Sequence, residues 1–147
     1  MEGHESNILV KVQFYDSIVG YENLWALPLG GSHYRIENVP FFIYDIAFGD
    51  VVEASLTDTG VLRFSNVFAR STNRTLRARS DALITDSPRS SRIAASLEEL
   101  GCRVEIHHDR LLAINVPVGV NLKRVTDLLA NAGLDWEYGS PAGSNTE

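Results

Sequence analysis

Few side chains in this sequence combine reactive chemistry with suggestive spacing. His107-His108-Asp109 is the one cluster of metal-capable or acid–base groups. A metal site needs three or four ligands converging on one point. Consecutive residues of a strand point to opposite faces, so the pair converges only if a turn bends it. His4 and His33 lie far away in sequence. The triplet therefore reads as a hairpin turn. Cys102 follows Gly101 and opens an alternating run, which predicts a buried thiol acting as a small hydrophobe. A nucleophilic thiol wants a positive, partly open site, and the side chain of neighbouring Arg103 points the other way. There is no glycine-rich phosphate loop, HExxH, GxSxG or convincing carboxylate pair. No catalytic, cofactor-binding or metal-binding residue is assigned.

Two other groups could bind rather than react. Arg77 and Arg79, two apart on a strand, share a face. Arg89 and Arg92, three apart, are neighbours on a helix. Because guanidinium groups hold phosphate and carboxylate bidentately, Arg77, Arg79, Arg89 and Arg92 form a candidate anion site. The second group lies in Pro40–Phe48, a run dense in aromatics. Exposed apolar patches commonly mark interfaces. Phe41, Phe42 and Tyr44, with the acids Asp45, Asp50 and Glu53, are thus candidate partner-binding residues.

Composition bounds these readings. The 147 residues suit one domain or two small subdomains, and 44% hydrophobic against 22% charged residues is ordinary for a globular chain. The formal charge of −6 argues against nucleic acid as the default partner. It conceals a basic centre: seven arginines against two acids between Arg63 and Arg92 give a net +5, and the remainder carries −11. One cysteine permits no intrachain disulfide, and the polar start Met1-Glu2-Gly3-His4-Glu5 lacks the pattern of a signal peptide. No apolar run is long enough to span a bilayer. The expectation is a cytoplasmic protein without a membrane or cofactor.

The elements that position these residues change rhythm midway. Val10–Phe14 alternates apolar and polar residues as a half-buried strand. Asn23–Leu29 and His33–Val39 flank the turn Gly30-Gly31-Ser32. Val51–Leu56 and Val61–Phe68 flank Asp58-Thr59-Gly60. Five short, closely spaced strands predict a small barrel or curved sheet. From Thr75 onward the order is strand, helix from Ser87-Pro88 to Gly101, strand, the turn at His107, strand to Pro117, helix from Asn121 to Gly133, and strand through Trp136 and Tyr138. This is the order of a ferredoxin-like split βαβ unit. The fold class expected is α+β, with a barrel-like half over 1–72 packed on a ferredoxin-like βαββαβ half over 73–139, and a disordered tail over 140–147. RNA binding on such a sheet normally uses exposed aromatics. Only Trp136 and Tyr138 are placed for it, so nucleic-acid binding is not expected.

Glu22–Ala26, Tyr34–Phe42, Tyr44 and Phe48–Ala54, with Leu100–Glu105, Leu111–Pro117 and Trp136–Tyr138, are similar to a bacterial family known as domain of unknown function number 4265. The resemblance covers about residues 8–138. Its motifs are turns, caps and core aromatics, and they imply no catalytic role. The resemblance implies a free-standing single domain, which suits an accessory or immunity role.

The functional expectation is a non-enzymatic protein-binding module, of the kind that neutralises a bacterial toxin through its acidic ends. The rival is a small-molecule or anion-binding regulatory module using the arginine-rich centre.

Overall fold

The computed structural model describes residues 8–79, 87–108 and 110–140. By contacts, the described parts of Met1–Asn38 and Gly49–Ser71 form one unit, and those of Val39–Phe48 and Thr72–Glu147 form another.

The first unit is all β: β1 (Val10–Asp16), β2 (Gly20–Gly30), β3 (His33–Ile36), β4 (Val51–Leu56) and β5 (Leu62–Ala69). They form a closed barrel in sequence order, closed where β1 meets β5 in parallel at Gln13 and Arg63. The alternation seen in the sequence sets the faces. Val12, Phe14, Leu24, Ala26, Ile36, Val52 and Ala54 are buried, and Phe14 stacks on Phe64 with ring centroids 4.7 Å apart. Asp16 closes the β1–β2 turn by accepting the Ile18 and Val19 amides at 2.7 and 3.1 Å. Those bonds favour its carboxylate and hold its pKa below the ordinary value.

The second unit contains β6 (Arg74–Arg79), α1 (Ser87–Glu99), β7 (Arg103–His107), β8 (Leu111–Val116), α2 (Leu122–Asn131) and β9 (Asp135–Ser140). Its sheet has the order β7-β8-β6-β9, with every neighbouring pair antiparallel. Leu76, Ala78, Leu112 and Ile114 of the two central strands join Ile93 and Leu97 of α1 and Val125 and Leu129 of α2 in one core. Both helices end alike. The Cys102 amide reaches the Leu97 carbonyl and the Leu134 amide the Leu129 carbonyl, both at 3.1 Å. Gly101 and Gly133 stand at the positive φ values, 108° and 77°, that this ending requires. Asn121 caps α2, its side chain accepting the Arg124 amide at 3.3 Å. No described helix is long and apolar enough to cross a membrane.

Two expectations need correction. Ser140 is not tail: β9 runs through it, it pairs with Thr75, and it is buried. The rest of the expected tail, residues 141–147, lies outside the described residues. Val39–Phe48, expected within the first half, belongs by contacts to the second unit. Its partners there explain why.

Candidate functional site

The antiparallel register lays the sheet face opposite the helices out as rows. Paired residues share a face, so one row reads His107, Leu111, Arg79, Asp135 across β7, β8, β6 and β9. The next row inward reads Glu105, Ala113, Arg77, Glu137, and the third reads Arg103, Asn115, Thr75.

Val39–Phe48 crosses the two inner rows as a strap. Glu105 accepts the Val39 amide at 3.1 Å. The Arg77 guanidinium donates to the Phe42 carbonyl at 2.9 Å and to the Ile43 carbonyl, and it lies 4.7 Å from the Tyr44 ring centroid. The Tyr44 hydroxyl donates to Glu137 at 2.7 Å. The Asp45 amide donates to the Gly139 carbonyl at 2.7 Å. Thr75 and Asn73 donate to the carbonyls of Ile46 and Phe48 at 3.4 and 2.7 Å, and Arg103 sits 4.7 Å over the Phe48 ring. The strap has no strand pairing of its own. Side chains of Asn73, Thr75 and Arg77 satisfy the carbonyls of Phe42, Ile43, Ile46 and Phe48 instead.

This geometry redefines Arg77. It is 4% exposed and its fork is spent on strap carbonyls, so it is a structural anchor and not an open anion ligand. Gly139 makes room for it: a Cβ there would lie 2.8 Å from the Arg77 Nη2. Arg89 is likewise engaged, donating to the Ala132 carbonyl at the end of α2, where positive charge complements the helix dipole. Arg92 is exposed on α1, beside Arg89 in a shallow hollow between the helices. The four arginines expected together are therefore dispersed over two faces.

Arg79 is the member that remains open. It ends β6, exposed, in the outermost row. With Phe42, His107, His108, Arg110 and Leu111 it lines a cavity of about 350 Å³. The turn that brings these together is the hairpin expected at His107: His108 has a φ of 52°, and the Arg110 amide donates to the His107 carbonyl at 3.2 Å. The two imidazoles meet edge to face at 4.1 Å, and Phe41 and Phe42 pack on His107 at 5.0 and 5.3 Å. Asp109 lies outside the described residues. A second cavity of about 320 Å³, lined by Arg77, Arg79, Leu111, Asp135, Trp136 and Glu137, adjoins the first at Arg79 and Leu111.

The partner-binding candidates divide between the units. Phe42 and Tyr44 are 37% and 41% exposed on the strap. Asp45 is exposed, with a φ of 66° that aspartate tolerates better than most residues. In the barrel, Asp50 is 1% exposed. It accepts the Ser71 amide at 2.8 Å and faces Arg70 at 3.7 Å, so it is structural. Glu53 pairs with His33 at 3.3 Å. Trp136 and Tyr138 pack against the helix-side core, so they do not form the base-stacking platform considered from the sequence. Cys102 is buried, and burial pushes its thiol up to about 11.

Arg110, Leu111 and Asp135 were missed as site residues. They become neighbours of Arg79 only through strand order and register, which no local pattern encodes.

A closed barrel and a two-helix, four-stranded antiparallel unit define a small α+β protein, with a cavity lined by two arginines and two histidines among the described residues at one end of the sheet strands. A family model described as "Domain of unknown function (DUF4265)" matches residues 22–137, and the chain belongs to that family. Its fold is similar to the crystal structure of a hypothetical protein from Neisseria gonorrhoeae, with a TM-score of 0.71 and 18% identity. That match covers 95% of this chain and 100% of the other. No curated protein matches the chain.

Proposed function

We propose that this is a non-enzymatic binding module that takes a small anion in the cavity framed by Arg79, Arg110, His107 and His108. The observation that carries this reading is the contrast between neighbouring arginines. Arg77 is buried with its two terminal nitrogens on the strap, whereas Arg79 and Arg110 are exposed at one cavity and, among the described residues, their guanidinium groups hold no hydrogen-bonded or ion-paired partner. Phosphate and carboxylate are the groups that arginine forks fit best. Phe42 and Leu111 supply apolar wall, the usual composition of a small-ligand site.

The strand order β7-β8-β6-β9 and the alternation of two helices with four strands support reading the second unit as a ferredoxin-like sandwich. On that reading the strap occupies the sheet face that such units leave open, and ligand access is confined to the uncovered outer row.

The test is thermal unfolding of the full chain with inorganic pyrophosphate, against sodium chloride of equal ionic strength. The melting temperature should rise with pyrophosphate beyond the salt control, and the rise should disappear in an Arg79→Ala, Arg110→Ala double variant. An equal rise in the variant, or none in the parent, removes the reading.

A second reading, capture of a protein such as a cognate toxin, is favoured by one feature: the exposed Phe42 and Tyr44 beside Asp45 on the strap. It predicts a stoichiometric protein partner that co-purifies from the native host with the parent chain and is lost with Phe42→Ser, Tyr44→Ser.

A further inference from the structure

The outer row of the sheet is ordered by charge. From β7 to β9 it runs His107, Leu111, Arg79, Asp135. Neighbouring strands lie about 4.8 Å apart, so Asp135 stands one strand beyond Arg79 and His107 two strands on the other side. Arg110 and His108 add positive or hydrogen-bonding capacity at the β7–β8 end. Glu137 adds negative charge at the β9 end, one row inward, with its side chain 51% exposed. The two adjoining cavities repeat this order. Among the described residues, the first is lined by arginines and histidines and carries no carboxylate. The second carries both Asp135 and Glu137. Arg79 and Leu111 are the shared wall.

We propose that the ligand is a zwitterion: a phosphorylated or carboxylated small molecule that also bears an ammonium group, its anion over Arg79, Arg110 and His108 and its ammonium at Asp135 and Glu137. The proposal rests on the anion-binding reading and deepens it. A ligand that was anionic throughout would meet like charge at the β9 end, and a simple cation would meet it at Arg79. A molecule with opposite charges about one to two strand spacings apart satisfies both ends. Glu137 is already oriented, since the Tyr44 hydroxyl donates to it at 2.7 Å and Arg77 lies 3.9 Å away. Asp135 is exposed at the start of β9, so its replacement should not disturb folding.

The experiment is calorimetric titration of the full chain with a matched pair of probes, 4-aminobutyl phosphate and butyl phosphate, which differ only in the ammonium group. The amine-bearing probe should bind about tenfold more tightly, the scale of about 1.4 kcal/mol. In Asp135→Asn that advantage should shrink several-fold, and in the Asp135→Asn, Glu137→Gln double variant it should vanish, while butyl phosphate affinity is unchanged or slightly raised, since each exposed ion pair carries only part of it. Equal binding of the two probes by the parent chain would overturn the zwitterion and leave the anion site standing. Binding of neither would overturn both. An advantage that survives both Asp135→Asn and Glu137→Gln would place the ammonium elsewhere and also overturn the assignment.

Discussion

Arg77 and Gly139 illustrate how one residue's chemistry fixes another's identity. The guanidinium replaces water on the carbonyls of Phe42 and Ile43, and its plane occupies the space where residue 139 would carry a Cβ. Arg77→Met keeps much of the volume but leaves those carbonyls without their donors. It should lower unfolding stability by about 3 kcal/mol, as breaking buried charged hydrogen bonds does. Gly139→Ala should destabilise in the same direction by displacing the fork. Because the clash needs the arginine, the double variant should be markedly more stable than the sum of the two losses, a coupling measurable by urea unfolding. Simple additivity would show that the two residues act separately. Cys102 makes a pH prediction. Its pKa is raised from 9.0 to about 11 by burial, so the unfolded chain releases the thiol proton first. The Cys102 contribution is complete below pH 9 and falls as pH rises from there towards 11. The alkaline loss of stability should therefore be shallower in Cys102→Ala than in the parent over that window. Identical slopes would argue against a buried, protonated thiol.

At the scale of elements, the caps and turns were the most legible features because each depends on a residue type at a fixed offset. Asn121 before an apolar-periodic run, Gly101 and Gly133 after such runs, and Gly30-Gly31 between strands all fall where their backbone conformation requires them. Asn121→Ala should cost about 1 kcal/mol by leaving a first-turn amide uncapped, and the loss should be recovered by Asn121→Ser. Failure of serine to restore stability would mean the side chain does more than cap. The strap was not legible. Pro40–Phe48 reads as an apolar core segment, and Pro40, Ile43, Ile46 and Ala47 are buried, but its hydrogen bonds go to side chains of Asn73, β6 and β9 and to the Gly139 carbonyl. No periodicity records such pairing. Asp45 within it bends at positive φ, so Asp45→Gly should be more stable than Asp45→Ala by about 1 kcal/mol, both variants lacking the carboxylate. Equal stability of the two variants would show that the backbone at residue 45 is not strained.

For the whole molecule, the barrel and the two-helix unit followed from alternation, helical spacing and turn residues, which are local signals. The candidate site did not. The sequence grouped Arg77, Arg79, Arg89 and Arg92 by proximity along the chain. In the structure Arg77 anchors the strap, Arg89 serves the end of α2, and only Arg79 meets Arg110 and the histidine turn. Strand order β7-β8-β6-β9 produces that meeting, and it is decided by long-range pairing beyond any window of sequence. The anion site is tested most directly by a two-dimensional 1H–15N NMR titration of the full chain with inorganic pyrophosphate. An anion site at Arg79 and Arg110 predicts saturable amide shifts concentrated at Phe42, Arg79, His107, His108, Arg110 and Leu111, with the barrel residues Lys11, Gln13 and Trp25 silent. Shifts confined to the barrel, or none beyond those produced by sodium chloride at equal ionic strength, would contradict it.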